Sequence, residues 1–415
     1  MDKSNFNNYK YLKDKLDYNY KGYNLKFLIP GYLNFVFDSI TPSPKEVIKS
    51  FIDSTQSFDL REVPRSKSDT VITYLINRQD YKNLALAAQA QFTNSEVINI
   101  SSLPKVKFRA YGFSYIKHFF KAAGIVLFRS LRLNFKSKLY LIAAITKIFN
   151  QIRLLEKGKY DNHIKKYVSF NSAYREESLL TEFFNKRNTE TVTLQHGIFC
   201  DFKQFIPFDY INLENLRAKE ILCWGQSTID YLKEKGIDTD KLILSGNMKY
   251  KNARIDKVDQ SFSSCLVLLG RGLYVKTNDK LLETLAEYNN KHPQKIKFYI
   301  KKHPFLLDED HRQFASVEND IIFLGKEHTV EEVLRSDMID FSIAVNTTAY
   351  YESLALGKPC FRWTEYENED FYGMDDKFQN LEELEQKIDK FKKTEQSEIK
   401  NEMKRVIKYI FNTDL

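Results

Sequence analysis

Cysteine, glycine and proline are all scarce in this chain. Its four cysteines (Cys200, Cys223, Cys265, Cys360) are far apart and none forms a CxxC pair, which argues against a disulfide scaffold and a zinc site. Three of them stand in or beside apolar, strand-like runs, where a reduced thiol behaves as a small hydrophobe. With 14 glycines and 9 prolines in 415 residues, long flexible linkers and low-complexity segments are not expected, and no internal repeat recurs at a fixed period. No stretch reaches the roughly 18 uncharged apolar residues of a membrane span. The opening MDKSNFNNYKYLKDKLDYNY lacks the apolar centre of a secretion signal. A cytoplasmic protein is the expectation from these absences. RNP, helix-turn-helix and zinc-finger signatures are missing too, so nucleic acid is not an expected partner.

What is present is ordinary for a globular protein: 43% hydrophobic and 28% charged residues, in a length that suits two domains better than one core. The net charge of +8 is uneven. Between Lys105 and Lys159 thirteen Lys or Arg accompany a single acidic residue, Glu156. Segment 105–157 reads as long helices in which these cations mix with Phe and Leu. Such helices suit an anionic inner-leaflet membrane or a lipid-linked acceptor, with peripheral attachment; a solvated basic face is the plainer alternative.

Strand-like runs fall at 26–29, 70–76 and 97–100. KYVSFN, EESLLTEFFNKRN and TVTLQHG then form a strand–helix–strand unit. The second half repeats the alternation: EILCWG, QSTIDYLKEKG, KLILSGN, CLVLLG, NDKLLETLAEYNNK, IKFYIKKHP, DIIFLG, TVEEVLRSD, DFSIAVNTT, AYYESLALG and KPCFRW. Strands alternating with helices imply parallel sheets with crossover helices. The expected architecture is α/β, with two Rossmann-like domains facing each other across a cleft: 1–215, 216–379, and a C-terminal helical segment, 380–415, that packs back on the first domain.

Ligands of open parallel sheets bind at the carboxyl ends of the strands, and the unusual polar residues gather there. In VNTTAYYESLALGKP a buried strand ends and Asn346, Thr347 and Thr348 open a helix, as N-caps beside free N–H groups that suit a phosphate. A well-capped helix and nothing more is the equal alternative. Glu352, one turn on, can accept ribose hydroxyls, and Gly357-Lys358-Pro359 ends the helix. IKFYI runs into Lys301, Lys302, His303 and Pro304, placing His303 at a strand end, restrained by the proline. His292-Pro293 falls at a helix end and reads as punctuation. The loop Gly270-Arg271-Gly272 offers close backbone approach and a guanidinium for a diphosphate, although it is neither a Walker A nor a GxGxxG loop. Together these three strand ends read as a site for a nucleotide phosphate.

On these motifs the second half resembles the donor-binding domain of GT-B glycosyltransferases that build bacterial surface polysaccharides such as capsule and O-antigen. It is similar to the group with an HP motif followed about 40 residues later by a Ser/Thr pair at a helix start. That group comprises the bacterial sialyltransferases, the Kdo transferases and the CDP-glycerol polyol-phosphate transferases of teichoic-acid synthesis. The resemblance implies that His303 with Pro304, and Thr347 with Thr348, hold the nucleotide and its phosphate, and that the donor is CMP- or CDP-linked, with UDP- and GDP-sugars as alternatives. No cofactor or bound metal is implied, because Arg271, His303 and the helix dipole meet the charge. The expected partners are a nucleotide-sugar donor and a glycan or lipid-linked glycan acceptor.

In the first half, TVTLQHGIF places His196 at the end of a buried strand. It reads as a catalytic base, a ligand-positioning group or a silent core histidine. Teichoic-acid-type enzymes carry a His-Gly here as their proposed base, whereas sialyltransferases use an acidic pair before a glycine that this chain lacks. The resemblance therefore implies that His196 takes the acceptor proton, with inversion at the sugar. Gln195 and Gly197 flank it, and Asp201 or Glu177 can orient or replace it. Asn171, at the end of the neighbouring strand, can contact acceptor or phosphate, or simply form a turn. Gly246-Asn247 reads as the interdomain turn, with Lys249 facing the cleft. The rival functions are a polyol-phosphate transferase, a sugar-nucleotide 2-epimerase (whose acidic pattern is missing) and a non-catalytic scaffold of a polysaccharide assembly complex.

Overall fold

The structure is a computed structural model that describes residues 3–413 apart from 38–39, 130, 162, 202–205, 207–208, 257, 259, 305, 308, 312–313, 315–319, 346 and 365–371. Among the described residues, beyond a two-stranded hairpin, β1 (Asn19–Tyr20) and β2 (Tyr23–Asn24), the strands make two six-stranded sheets. The first contains β3 (Thr70–Tyr74), β4 (Ser95–Asn99), β5 (Lys166–Ser169), β6 (Glu190–Leu194), β7 (Glu220–Cys223) and β8 (Leu242–Leu244), in the order β4-β3-β5-β6-β7-β8. The second contains β9 (Ser264–Leu268), β10 (Lys297–Lys301), β11 (Ile321–Phe323), β12 (Phe341–Val345), β13 (Cys360–Trp363) and β14 (Lys377–Phe378), in the order β11-β10-β9-β12-β13-β14. The α/β reading with two parallel, Rossmann-like sheets holds.

The central strands explain themselves. TVITY in β3, FSIAV in β12 and CFRW in β13 are buried at every position, as parallel strands covered on both faces must be. Cys223, Cys265 and Cys360 are buried on strands of the two sheets. By contrast 26–29, expected as a strand, is mostly helical (Leu25–Leu28), because Asn24 caps it by accepting from Lys26 N. Four apolar residues are too few to fix a period.

The first unit comprises Met1–Cys223 with Leu232–Ile243, and the second Trp224–Tyr231 with Leu244–Leu415. EILC and LIL extend the first sheet as β7 and β8, and no change in composition marks that extension. Segment 380–415 divides into helices Leu381–Lys393 and Gln396–Phe411. The last helix packs on helix Ala349–Ala355 and on Trp224, whose ring meets Phe411 edge-on at 5.6 Å. These contacts lie within the second unit. An added Cβ on Gly225 would stand 2.3 Å from Tyr409 O, so only glycine fits where this helix closes.

The basic segment 105–157 also divides. Helix Phe135–Lys157 is a core element, with fifteen of its residues buried, beneath helices Pro44–Thr55 and Phe113–Phe128. His118 Nδ1 meets Asn150 Oδ1 at 2.7 Å and pins two of these helices together. The second half of the segment is therefore unavailable to a membrane, which corrects the expectation for 105–157 as a whole. Among the described residues no helix is long and apolar enough to cross a membrane.

Candidate functional site

Three neighbouring parallel strands of the second sheet end in one row: Lys301 of β10 pairs with Leu268 of β9, and Leu268 with Ala344 of β12. His303 and Gly270 each follow that row by two residues and Thr347 by three. Counted in chain order from β9, the sheet runs third, second, first, fourth, fifth, sixth, so its winding reverses between β9 and β12. That reversal is where open α/β sheets bind ligands. The glycine loop and the threonine pair flank it on either side, and His303 stands one strand away.

Each expected residue has a definite local setting. Gly270 N donates to Asn278 Oδ1 at 2.9 Å and Asn278 Nδ2 donates to Gly270 O at 3.0 Å. Both polar backbone atoms of Gly270 are thus engaged with the Asn278 side chain. The lack of a side chain at Gly270 serves packing, since a Cβ would stand 3.0 Å from that of Tyr274. Arg271 follows with extended backbone, φ −62° and ψ 172°, leading into the short 3-10 turn Gly272–Tyr274. His303 is half-buried and Pro304 exposed, in a turn where Leu306 N donates to His303 O at 2.9 Å.

Asn346 lies outside the described residues. Thr347 Oγ1 accepts from Ala349 N at 3.3 Å. Thr348 already has helical angles, φ −55° and ψ −25°, and makes no side-chain cap bond, because a cap residue needs extended angles for its oxygen to reach forward. Glu352 Oε1 accepts from Lys249 Nζ at 3.3 Å, and Lys249 Nζ also lies 3.0 Å from Glu331 Oε2. Burial pulls the Lys249 ammonium down, but Glu352 and Glu331 outweigh it and leave its pKa raised. Any ribose hydroxyl on Glu352 therefore shares that carboxylate with Lys249.

In the first unit, β6 ends at Leu194 and the chain turns through Gln195-His196-Gly197. The buried Gln195 ties the turn, its Nε2 donating to Gly197 O at 2.8 Å. A Cβ on Gly197 would meet nothing within 4 Å, so the backbone beside His196 borders open space. The half-buried His196 ring lies 4.9 Å from Phe170, and Phe170 stacks on Tyr81 at 4.1 Å. Arg78 Cζ covers the Tyr81 ring at 4.6 Å. Counted from β3, this sheet runs second, first, third, fourth, fifth, sixth. Its winding reverses between β3, which Arg78 and Tyr81 follow, and β5, which Phe170 and Asn171 follow.

Asn171 Oδ1 accepts from Ala173 N at 3.1 Å, a turn-forming bond. Asp201 is ion-paired with Lys235, with half of its side chain exposed. Glu177 is fully buried one strand over, and its Oε1 accepts from Phe170 N at 2.7 Å and Asn171 N at 3.3 Å. Burial, against these bonds, pushes its carboxyl up to about 8. The adjacent Glu176, raised by burial but held down by Lys147 and Arg175, lies at about 2. Neighbouring carboxyls driven apart in this way leave one ionised and one protonated at neutral pH. Among the described residues no group of three His, Cys, Asp or Glu is placed to hold a metal.

Comparison with known proteins finds no matching family model and no matching curated sequence. Among solved structures, the chain is similar to UDP-N-acetylglucosamine 2-epimerase from Rickettsia bellii, at 15% identity over 83% of this chain and 95% of that one, with a TM-score of 0.48. It is also similar to the UDP-GlcNAc 2-epimerase of Neisseria meningitidis bound to UDP-GlcNAc, at 12% identity over 83% of this chain and 100% of that one, TM-score 0.48. Anabaena Alr3699/HepE in complex with UDP-glucose matches at 11% identity over 82% of this chain and 95% of that one, TM-score 0.47.

Three residues at these strand ends carry no sequence motif: Asn278, Arg78 and Tyr81. Asn278 is a polar residue near the start of a helix that follows a glycine loop, and its inward-facing side chain is the signal that marks it. Arg78 and Tyr81 follow the most fully buried strand of the first half, where a loop with an Arg and a Tyr merits the same attention as the QHG turn.

Proposed function

We propose that this chain is a metal-independent glycosyltransferase that moves a sugar from a nucleotide-activated donor to a glycan or lipid-linked glycan acceptor of a surface polysaccharide. The donor nucleotide binds at the strand ends of the second sheet, with Arg271 and His303 on its phosphate and the Thr347 hydroxyl beside them. The acceptor binds at the strand ends of the first sheet, by His196. In the reaction His196 takes the proton of an acceptor hydroxyl, whose oxygen attacks the anomeric carbon. The bond from that carbon to the phosphate oxygen breaks, and the nucleotide leaves with the electron pair. Charge on the leaving phosphate is met by Arg271 and His303, and displacement from the opposite face inverts the sugar.

The observation that carries this reading is the single row in which β10, β9 and β12 end, at the point where the winding reverses. The HP and Thr-Thr motifs support CMP- or CDP-linked donors over UDP- and GDP-sugars. A thermal-shift panel of CMP, CDP, UDP and GDP tests it. A ligand at a hundred times its Kd adds about 2.7 kcal/mol of stability, so the cognate nucleotide raises Tm by several degrees and names the donor base. No shift with any of the four removes the donor site and leaves a non-catalytic scaffold.

A further inference from the structure

We propose that the face shared by helices Pro44–Thr55 and Phe113–Phe128 docks on the surface of an anionic lipid bilayer. Isolated exposed apolar residues are common on soluble proteins, but a contiguous group of large ones marks an interaction surface. On helix Phe113–Phe128, Phe113 is 81% exposed, Ile116 45%, Phe120 67% and Leu127 56%. Steps of three, four and seven residues keep them on one stripe of an α-helix. Phe128, 88% exposed, ends the same helix. The opposite face, with His118, Ala122, Ile125 and Val126, is buried.

The stripe continues onto the neighbouring helix. Phe51 meets Phe119 at 6.3 Å between ring centroids, and Ser54 Oγ lies 2.8 Å from Tyr115 Oη. Ile48 and Ile52, beside Phe51 on its helix, are 60% and 51% exposed.

Charge selects the occupant. From Lys105 to Lys138 the sequence carries nine Lys or Arg and no Asp or Glu. Lys45, Lys49 and Lys117 are exposed around the stripe, as are Lys105, Lys107 and Arg109 ahead of it. On helix Pro44–Thr55, Glu46 is engaged in a capping box with Ser43, leaving Asp53 as the other acid. A wholly apolar protein partner would strand these cations, whereas an anionic interface takes Phe, Ile and Leu at the acyl boundary and Lys and Arg among the headgroups. The helix, sixteen residues long, lies on the bilayer and does not span it.

This surface stands apart from the proposed reaction, so either can fail alone. The test is co-sedimentation of the full chain with vesicles of phosphatidylcholine alone or with about 30% phosphatidylglycerol, at low and high salt. The chain binds the anionic vesicles at low salt, binds neutral ones at least tenfold more weakly, and loses most binding at high salt. The triple substitution Phe113→Ser, Phe120→Ser, Phe128→Ser lowers binding at least tenfold without changing the circular dichroism melt. Phe120→Trp keeps the face apolar, and its fluorescence is quenched by brominated phosphatidylglycerol. No binding to anionic vesicles at low salt, or no quenching of the Trp, overturns the proposal. So does a lipid-free dimer that the triple substitution dissociates, which assigns the face to a second copy.

Discussion

Glu177 Oε1 lies 2.7 Å from the backbone nitrogen of Phe170, the residue whose ring supports His196 at 4.9 Å. One buried carboxyl thus fixes the strand end on which the His196 ring rests. Burial raises that carboxyl from 4.5 to about 8, so between these values the folded chain keeps a proton that the unfolded chain has lost. The contribution is full below pH 4.5 and is lost as pH rises through 8.

Glu177→Gln keeps an oxygen for Phe170 N and Asn171 N but cannot ionise. The stability of the wild type relative to this variant therefore falls by about 1 kcal/mol per pH unit between pH 5 and 8. Urea unfolding of both proteins at pH 5, 6.5 and 8 measures the gap. A gap that stays constant across this range shows that Glu177 ionises normally in the folded chain.

His196→Ala removes the proposed base while leaving the second unit intact. Transfer from the donor identified by the nucleotide panel falls ~10²–10⁴-fold, the range of general-base catalysis, and nucleotide affinity measured by calorimetry stays within twofold. Normal turnover by the variant eliminates His196 as the base. Loss of nucleotide affinity instead assigns it a binding role.

The three aligned strand ends were legible because SCLVL, KFYIK and FSIAV are apolar runs that stop at polar, chemically distinctive residues. The order of the strands was not, because chain order does not reveal where the winding reverses. For that reason Tyr81 and Arg78, beside the reversal in the first sheet, carried no signal. The strand–helix–strand pattern from Glu220 to Leu244 matches the units that follow it, so only the pairing shows that both strands belong to the first sheet. Segment 105–157 misled for a different reason. Lys147, Asn150 and Gln151 are polar residues on a buried helix, where Lys147 is ion-paired with Glu176 and Asn150 with His118 supplies a buried hydrogen bond. Composition does not distinguish such buried polar groups from solvated ones.

Arg271→Ala and His303→Ala each remove a donor proposed to meet phosphate. A charge-assisted bond contributes about 1.5–3 kcal/mol, so each variant weakens nucleotide binding by about tenfold or more. Thr347→Val removes a neutral bond at about 1 kcal/mol, for a loss of about fivefold. Titrating the cognate nucleotide and its nucleoside separates the cases: if the affinity for the nucleoside falls as much as that for the nucleotide, the residues do not act on phosphate.

Asn278 holds Gly270 through two buried hydrogen bonds, at 2.9 and 3.0 Å, and Gly270 precedes Arg271. Asn278→Ala leaves both backbone groups without that partner and lowers stability by about 2–3 kcal/mol, read from urea unfolding. Asn278→Asp keeps an acceptor for Gly270 N but sets a carboxylate oxygen against Gly270 O, so it is destabilising too. If the clamp also positions Arg271, nucleotide affinity falls in Asn278→Ala under conditions where the variant is fully folded. The double substitution with Arg271→Ala then binds no more weakly than Arg271→Ala alone, because nothing remains to be positioned. Effects that simply add across the two sites show that Asn278 supports the fold without placing the guanidinium.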